Sequence, residues 1–484
     1  MTGVATTGTT YLELSEEGGG AHKFYEVRVQ GLEVTIRFGR IGEQGQLRSS
    51  TFPSTEKAAA AATRKVGEKV RKGYAPAVQG VRQARAVSRR QIVSSRSTAT
   101  QAPVLWRFAS GAAAFGIYVG EEYAYVGNQR GDVYALTHDG RVTGRFALPE
   151  GVKCIVADDF WLYAGCDDGR VYDLSGKIPR VAYEIADDVD IYWLDIDDGV
   201  LGVSDRQGGI TTVDHEDEFQ WSRRSRGDHG WMVRCSGETV YHGHSGGVTA
   251  YGAHSGEPRW HTGIEGQVLF GWQEPGEVFA GTGRGWVYRL GKADGAVRSR
   301  YRCDAAVFSC ATSPDGRYVF AGDNHSSVYC FAADGTRLWK LGTGCGSAYS
   351  MQYRDERLYI VTTDGSLACI DASEAAVREA EQGRLPQRQD IKASHVTAVA
   401  PSAQVETVSA AVVGSAGADG VVLECVQEAG RLRVRVLSPG YDPELRVQFP
   451  KEIRTPGARY LVTEVRPSAG GGFYRARGDI RRLL

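Results

Sequence analysis

Acidic residues are missing from the whole stretch between Glu68 and Glu121. Arginine recurs in that stretch, so it carries a positive charge that it cannot neutralise itself. Long apolar runs are missing too. Nowhere do about 18 apolar residues follow one another, and the opening "MTGVATTGTT" has no apolar leader core. The nine cysteines include no CxxC pair, whereas a zinc or disulfide framework needs paired spacing. Cys330, Cys369 and Cys425 instead stand four or five residues after a repeated turn, as small buried hydrophobes do in strands. These features predict a cytoplasmic protein with reduced thiols and no membrane contact. HExxH does not occur among the ten histidines. The one HxH, His242-Gly243-His244, has no Cys or carboxylate partner near it, which argues against a metal site. No nucleophile–base pair or paired-carboxylate site stands out, so no enzyme activity and no cofactor are expected.

What is present is ordinary for a soluble chain of 484 residues, with 42% hydrophobic and 24% charged residues. The length suggests two to four domains. Arg far outnumbers Lys, and Ala, Gly and Val are common, as in proteins of GC-rich bacteria. The net charge of −1 hides a division. Residues 1–100 hold 16 basic and 8 acidic residues, residues 101–439 hold 32 and 45, and residues 440–484 hold 9 and 5. Basic ends flank an acidic body.

After residues 1–10, expected to be disordered, residues 11–74 read as strands and one helix. "YLELSEE", "KFYEVRVQG" and "EVTIRFG" alternate like antiparallel strands. Glycine turns follow, then "FPSTEKAAAAATRKVGEKVRKGY". Ser54 suits an N-cap, Glu56 suits the first turn, the alanine run favours helix, and Gly73 suits the C-terminal stop. The expected module is a small twisted sheet with one helix packed on it.

The Lys-Phe-Tyr strand, the GRIG-x-x-GQ turn, the Phe-x-Ser helix start and the closing Glu-Lys-x-x-Lys-Gly-Tyr resemble, in order, a WGR domain. WGR domains occur in DNA-dependent poly(ADP-ribose) polymerases, where they bind near strand breaks, and in many bacterial proteins. The resemblance implies DNA ends or nicks as partner. It assigns stacking to Phe38 and a backbone contact to Arg40, with Gly39 allowing close approach. Lys23 and Gln46 belong to the matching strand and turn, and Lys65, Lys69 and Lys72 supply longer-range attraction. The chain departs from the family pattern by carrying Phe38-Gly39-Arg40 for Trp-Gly-Arg, which keeps a flat face but loses area and the indole N–H. From the pattern alone, Phe38 can equally be a core residue and Arg40 a solvated turn residue.

Residues 75–102 lack apolar periodicity and read as a flexible basic linker. Its arginines, Arg89 and Arg90 among them, suit a phosphate-binding arm or a tether lying against the acidic body.

Residues 103–439 are periodic. "YVGNQRGDVYALTHDGRV" and "FAGTGRGWVYRLGKADGAV" show the repeated plan of strand, glycine turn, strand, Asp-Gly turn, strand. The first turns fall at Gly131, Gly169, Gly208, Gly246, Gly285, Ser326, Gly365 and Gly420, spaced 38–41 residues apart until a final step of 55. This predicts a β-propeller with blades of about 40 residues. Eight motifs predict eight blades, with seven and one irregular unit as the alternative. "APVLWRF" is placed to close the ring from the N-terminal side, and Phe146, Trp221, Trp260 and Trp339 to pack between blades. The phrasing is similar to PQQ-like repeats, which build both quinoproteins and scaffolds, so a quinoprotein-like enzyme is a lesser alternative. Asp190, Trp193, Asp195, His229, Trp231 and His395 lie near first strands, where a central funnel can open. Residues 440–484 break the period and read as a small basic β module, with Gly470-Gly471-Gly472 in a hairpin loop.

The overall reading is a mainly β, non-enzymatic bacterial adaptor. Its first module binds DNA and its propeller face holds a protein partner; a pure protein scaffold is the alternative.

Overall fold

The structure is a computed structural model. It describes residues 8–14, 23–40, 45–72, 74–76, 95–100, 102, 104–159, 161–176, 179–186, 189–384, 411–413 and 420–483. Two compact units arise, one from the N-terminal module and one from the propeller with the C-terminal residues.

In the first unit β1 (Gly8–Leu14), β2 (Lys23–Gln30), β3 (Glu33–Arg40) and β4 (Gln46–Thr51) form an antiparallel meander, and β5 (Ala75–Pro76) adds to β1. The first strand begins at Gly8, inside the stretch expected to be disordered. The helix α1 (Thr55–Val70) starts where the sequence predicts: Ser54 Oγ accepts the Lys57 N–H at 3.3 Å, and Glu56 lies in the first turn. Its alanines, Ala58 and Ala62, are small enough to let the helix lie close on Leu12, Tyr25, Val27 and Val34.

The second unit contains seven four-stranded antiparallel sheets. Their first strands are Ala114–Val119, Val152–Asp158, Ile191–Asp197, Met232–Ser236, Val268–Glu274, Val307–Thr312 and Ala348–Arg354. Each neighbours the next, and the seventh neighbours the first, so the ring closes at seven blades. As the sequence suggests, β6 (Val104–Ala109) supplies the fourth strand of blade seven. The expected eighth blade is a correction. The strand after the Gly420 turn, Val421–Glu428, pairs with Arg431–Val436 and Arg459–Pro467, not with a blade. With β6 in place, the ring has no gap left for it. The same pairing moves the module boundary: residues 421–436 belong to the C-terminal sheet rather than to the propeller.

The repeated turns need glycine for a physical reason. A Cβ on Gly131 would stand 2.3 Å from the Leu148 carbonyl oxygen, and one on Gly365 2.2 Å from that of Ala112. The outer-strand aromatics lock blades together. Trp106, Trp221 and Trp260 donate through Nε1 to His138 O, Ala253 O and Lys292 O, each in the next blade, at 2.7–2.9 Å. These are fourth strands: the three strands visible in each sequence repeat are the second, third and fourth of a blade. The long final step of the repeat begins as α2 (Glu374–Glu381), which packs Val377 and Ala380 near Trp339.

The end of the expected flexible linker is ordered. Thr100 O accepts the Gly342 N–H at 2.7 Å, and the Ala102 N–H bonds Gly342 O at 2.8 Å.

The C-terminal sheet runs Ala411–Val413, Tyr474–Leu483, Arg459–Pro467, Val421–Glu428, Arg431–Val436, with Val447–Gln448 parallel to Tyr474–Leu483. It docks on blades two and three. Arg475, 1% exposed, meets Asp158 at 2.5 Å, and Asp158 also accepts the N–H groups of Asp198 and Gly199 at 2.8 Å. Phe473 stacks on His215 at 4.0 Å. Arg475 is therefore committed to the propeller. Among the described residues, no helix is long and apolar enough to cross a membrane.

Candidate nucleic-acid interface

Strand register assembles the site. Phe38 lies opposite Tyr25 on one side and Gln46 on the other, so these three share one face of the sheet. The backbone sets Arg40 opposite Lys23, two residues beyond Phe38. The side chain of Arg40 lies outside what is described, as do residues 41–44, Gly73, Arg89 and Arg90.

The Phe38 ring is half-buried, 6.3 Å from Tyr25, and lies at the rim of the module's core. The Arg48 guanidinium, on edge strand β4, sits over the ring at 5.4 Å from its centroid. Lys69 lies 4.4 Å from the Tyr25 centroid and 5.1 Å from that of Tyr74, whose N–H bonds back to Lys69 O at 3.1 Å. Burial lowers the Lys69 pKa, and Lys72, Lys65 and Lys23 lower it further. That mutual repulsion is the electrostatic mark of a gathered basic rim. Lys65 is partly offset by Glu68 at 3.3 Å. Lys23 and Gln46 are exposed.

Of the residues expected to bind, the structure brings together Lys23, Phe38, Gln46, Lys65, Lys69 and Lys72. Sequence reasoning missed Arg48. Its signal was available, because a residue two after Gln46 in a strand returns to the same face. Gly39 has a different reason from the one expected. A Cβ there would stand 2.7 Å from the Gly45 Cα and 3.3 Å from the Phe24 ring. The glycine makes room for the sheet's own packing on the face opposite Phe38.

The propeller channel is filled. Arg234 Nε and Nη2 donate to Gly271 O at 2.9 and 2.6 Å, and Arg234 Nη1 lies 3.7 Å from Asp195. Asp195 also accepts the Cys235 N–H at 2.9 Å, while burial raises its carboxyl to about 6. Trp193 meets Phe270 edge-on at 5.9 Å. One void among these side chains is about 20 Å³, room for one water. Trp231 stacks on Tyr192 at 3.7 Å, and His229 pairs with Asp228 at 3.0 Å. His395 lies outside the described residues. His242 and His244 are buried strand residues bonded to Ser225 and Thr249, with pKa values lowered by burial to about 3 and 4. Among the described residues, no group of three His, Cys, Asp or Glu is placed to hold a metal.

Two family models match the chain, each over less than half of its length. The WGR domain matches residues 8–81, and outer membrane protein assembly factor BamB, a PQQ-type repeat model, matches residues 244–435. Similar solved structures include the WD40 β-propeller domain of Doa1, at 12% identity, TM-score 0.48, over 58% of this chain and 99% of that one. Another is the computationally designed Ika8 protein, at 12% identity, TM-score 0.47, over 56% of this chain and 99% of that one. No match is found among curated proteins. The chain carries a WGR domain in its N-terminal unit, followed by a β-propeller whose later repeats are PQQ-like.

Proposed function

We propose that this protein is a bacterial, cytoplasmic, non-enzymatic adaptor that binds DNA at strand ends or nicks through its WGR domain and a protein partner through its propeller. WGR and propeller domains generally bind rather than catalyse, which supports the adaptor reading. The carrying observation is the single rim where Phe38 stands among Arg48, Lys69 and the lysines that depress it. A flat ring within a basic frame suits a terminal base or ribose held beside phosphates. Arg40, one residue past Gly39, completes this reading as the phosphate contact.

For the propeller, the supporting feature is charge. Six of the seven turns between first and second strands carry an acidic residue, from Glu121 in blade one to Asp355 in blade seven, and in blade five Glu274 and Glu277 flank the turn. All emerge at one end of the ring. The chain's own basic module already docks there, through Arg475 on Asp158 and the Gly470 N–H on Asp198. The partner we propose is accordingly basic. The packing of Phe38 on Tyr25 favours a second reading, a protein scaffold without DNA binding.

Binding to a nicked, 5′-phosphorylated duplex and to an intact duplex, over a salt series, separates the two. The adaptor reading expects tighter binding to the nick, a steep loss with salt, and loss of the preference in Arg40→Ala. Absence of binding to either duplex would leave the scaffold reading.

A further inference from the structure

Resting on the nucleic-acid reading of the same rim, we infer that Arg48 is the residue that selects strand ends, by presenting its guanidinium plane as the outer layer of the stack. The Phe38 ring is not bare. Buried Tyr25 lies 6.3 Å from it, and the Arg48 guanidinium lies over the ring at 5.4 Å from its centroid. The order from core to solvent is Tyr25, Phe38, Arg48. Arg48 itself is exposed.

Backbone register makes this placement robust. Arg48 pairs with Ile36 one row along from the Phe38–Gln46 pair, on an edge strand whose six residues are all exposed. Among the described residues Arg48 makes no ion pair or hydrogen bond with a carboxylate, and its guanidinium rests on the Phe38 ring.

The consequence is chemical. A base at a strand end meets a planar cation first, and guanidinium planes stack on bases as aromatic rings do. The same cation faces the negative field of the end phosphates. A base pair inside a continuous duplex offers no free face, so the layer contributes at ends and not along the helix. Phe38 in place of the larger tryptophan then becomes intelligible. The ring acts as a support that holds the guanidinium flat, and the lost indole area matters less.

The test uses the full chain with the nicked and intact duplexes, comparing wild type with Arg48→Lys and Arg48→Ala. Lysine keeps the charge and lacks the plane. We expect the preference of Arg48→Lys for nicked over intact duplex to fall about fivefold or more. Arg48→Ala should lose that preference and also lower the salt slope by about one. Full nick preference in Arg48→Lys would overturn the inference, since charge alone would suffice. Full preference in both variants would overturn it as well, leaving DNA-end binding to Phe38 and Arg40. A wild-type protein that binds neither duplex would remove the nucleic-acid reading, and this inference with it. Both variants should unfold at the wild-type temperature, because the side chain is exposed.

Discussion

Asp217 sits in a turn of blade three, buried beneath the C-terminal module. Lys451 donates to its carbonyl oxygen at 2.9 Å, and its carboxylate lies 3.3 Å from the Glu184 N–H. Burial raises its pKa to about 7, against the opposing pull of Lys451, Arg454 and that N–H. A carboxyl raised above its unfolded value binds its proton more tightly in the folded state. Its stabilising contribution is full below the ordinary carboxylate range and is lost as pH rises to about 7. Denaturant titrations from pH 4 to pH 8 should therefore show Asp217→Asn losing part of the wild-type decline with rising pH. A variant with an unchanged pH profile would contradict this assignment. No sequence pattern announced this residue, because its burial depends on a module more than 200 residues away. Phe38 shows the opposite case. Its strand and its flat face were legible, and the two-residue spacing from Gln46 put Arg48 on the same face, but that Arg48 lies over the ring depends on the pairing register of β3 and β4.

At the scale of elements, the periodic turns were readable because each glycine answers a local steric demand. The closing strand β6 was readable for a related reason: one unpaired strand before the first repeat implies an edge to cover. The eighth blade was misread because the Gly420 turn carries the same Asp-Gly chemistry as a blade hairpin, and turn chemistry is local. Only the 55-residue step hinted that its partners lie elsewhere. Closure makes a quantitative prediction. Trp106, 3% exposed, packs edge-on against Tyr359 at 6.0 Å and donates to His138 O. Trp106→Ala removes a buried indole at the seam, which costs about 3–5 kcal/mol. Equilibrium unfolding in urea should show that loss. A change under about 1 kcal/mol would mean that the seam does not depend on this strand.

Over the whole molecule, the charge division written in the sequence finds a structural counterpart. The acidic body carries carboxylates on its hairpins, and part of the basic C-terminal segment is spent there: Arg475 pairs with Asp158, Lys451 lies 3.4 Å from Glu218, and Lys451 and Arg454 also donate to the backbone carbonyls of Asp217 and Glu216. Among the described residues, the basic rim of the N-terminal module meets a carboxylate only where Lys65 pairs with Glu68 on α1. That asymmetry is why we assign DNA to the first unit and a protein to the second. Hydrogen exchange on the full chain, with and without a nicked 5′-phosphorylated duplex, tests the assignment most directly. The account predicts slowed exchange in peptides covering residues 23–25, 38–48 and 65–74, with the seven blades unchanged. Protection on the blades, with none over those three stretches, would contradict it.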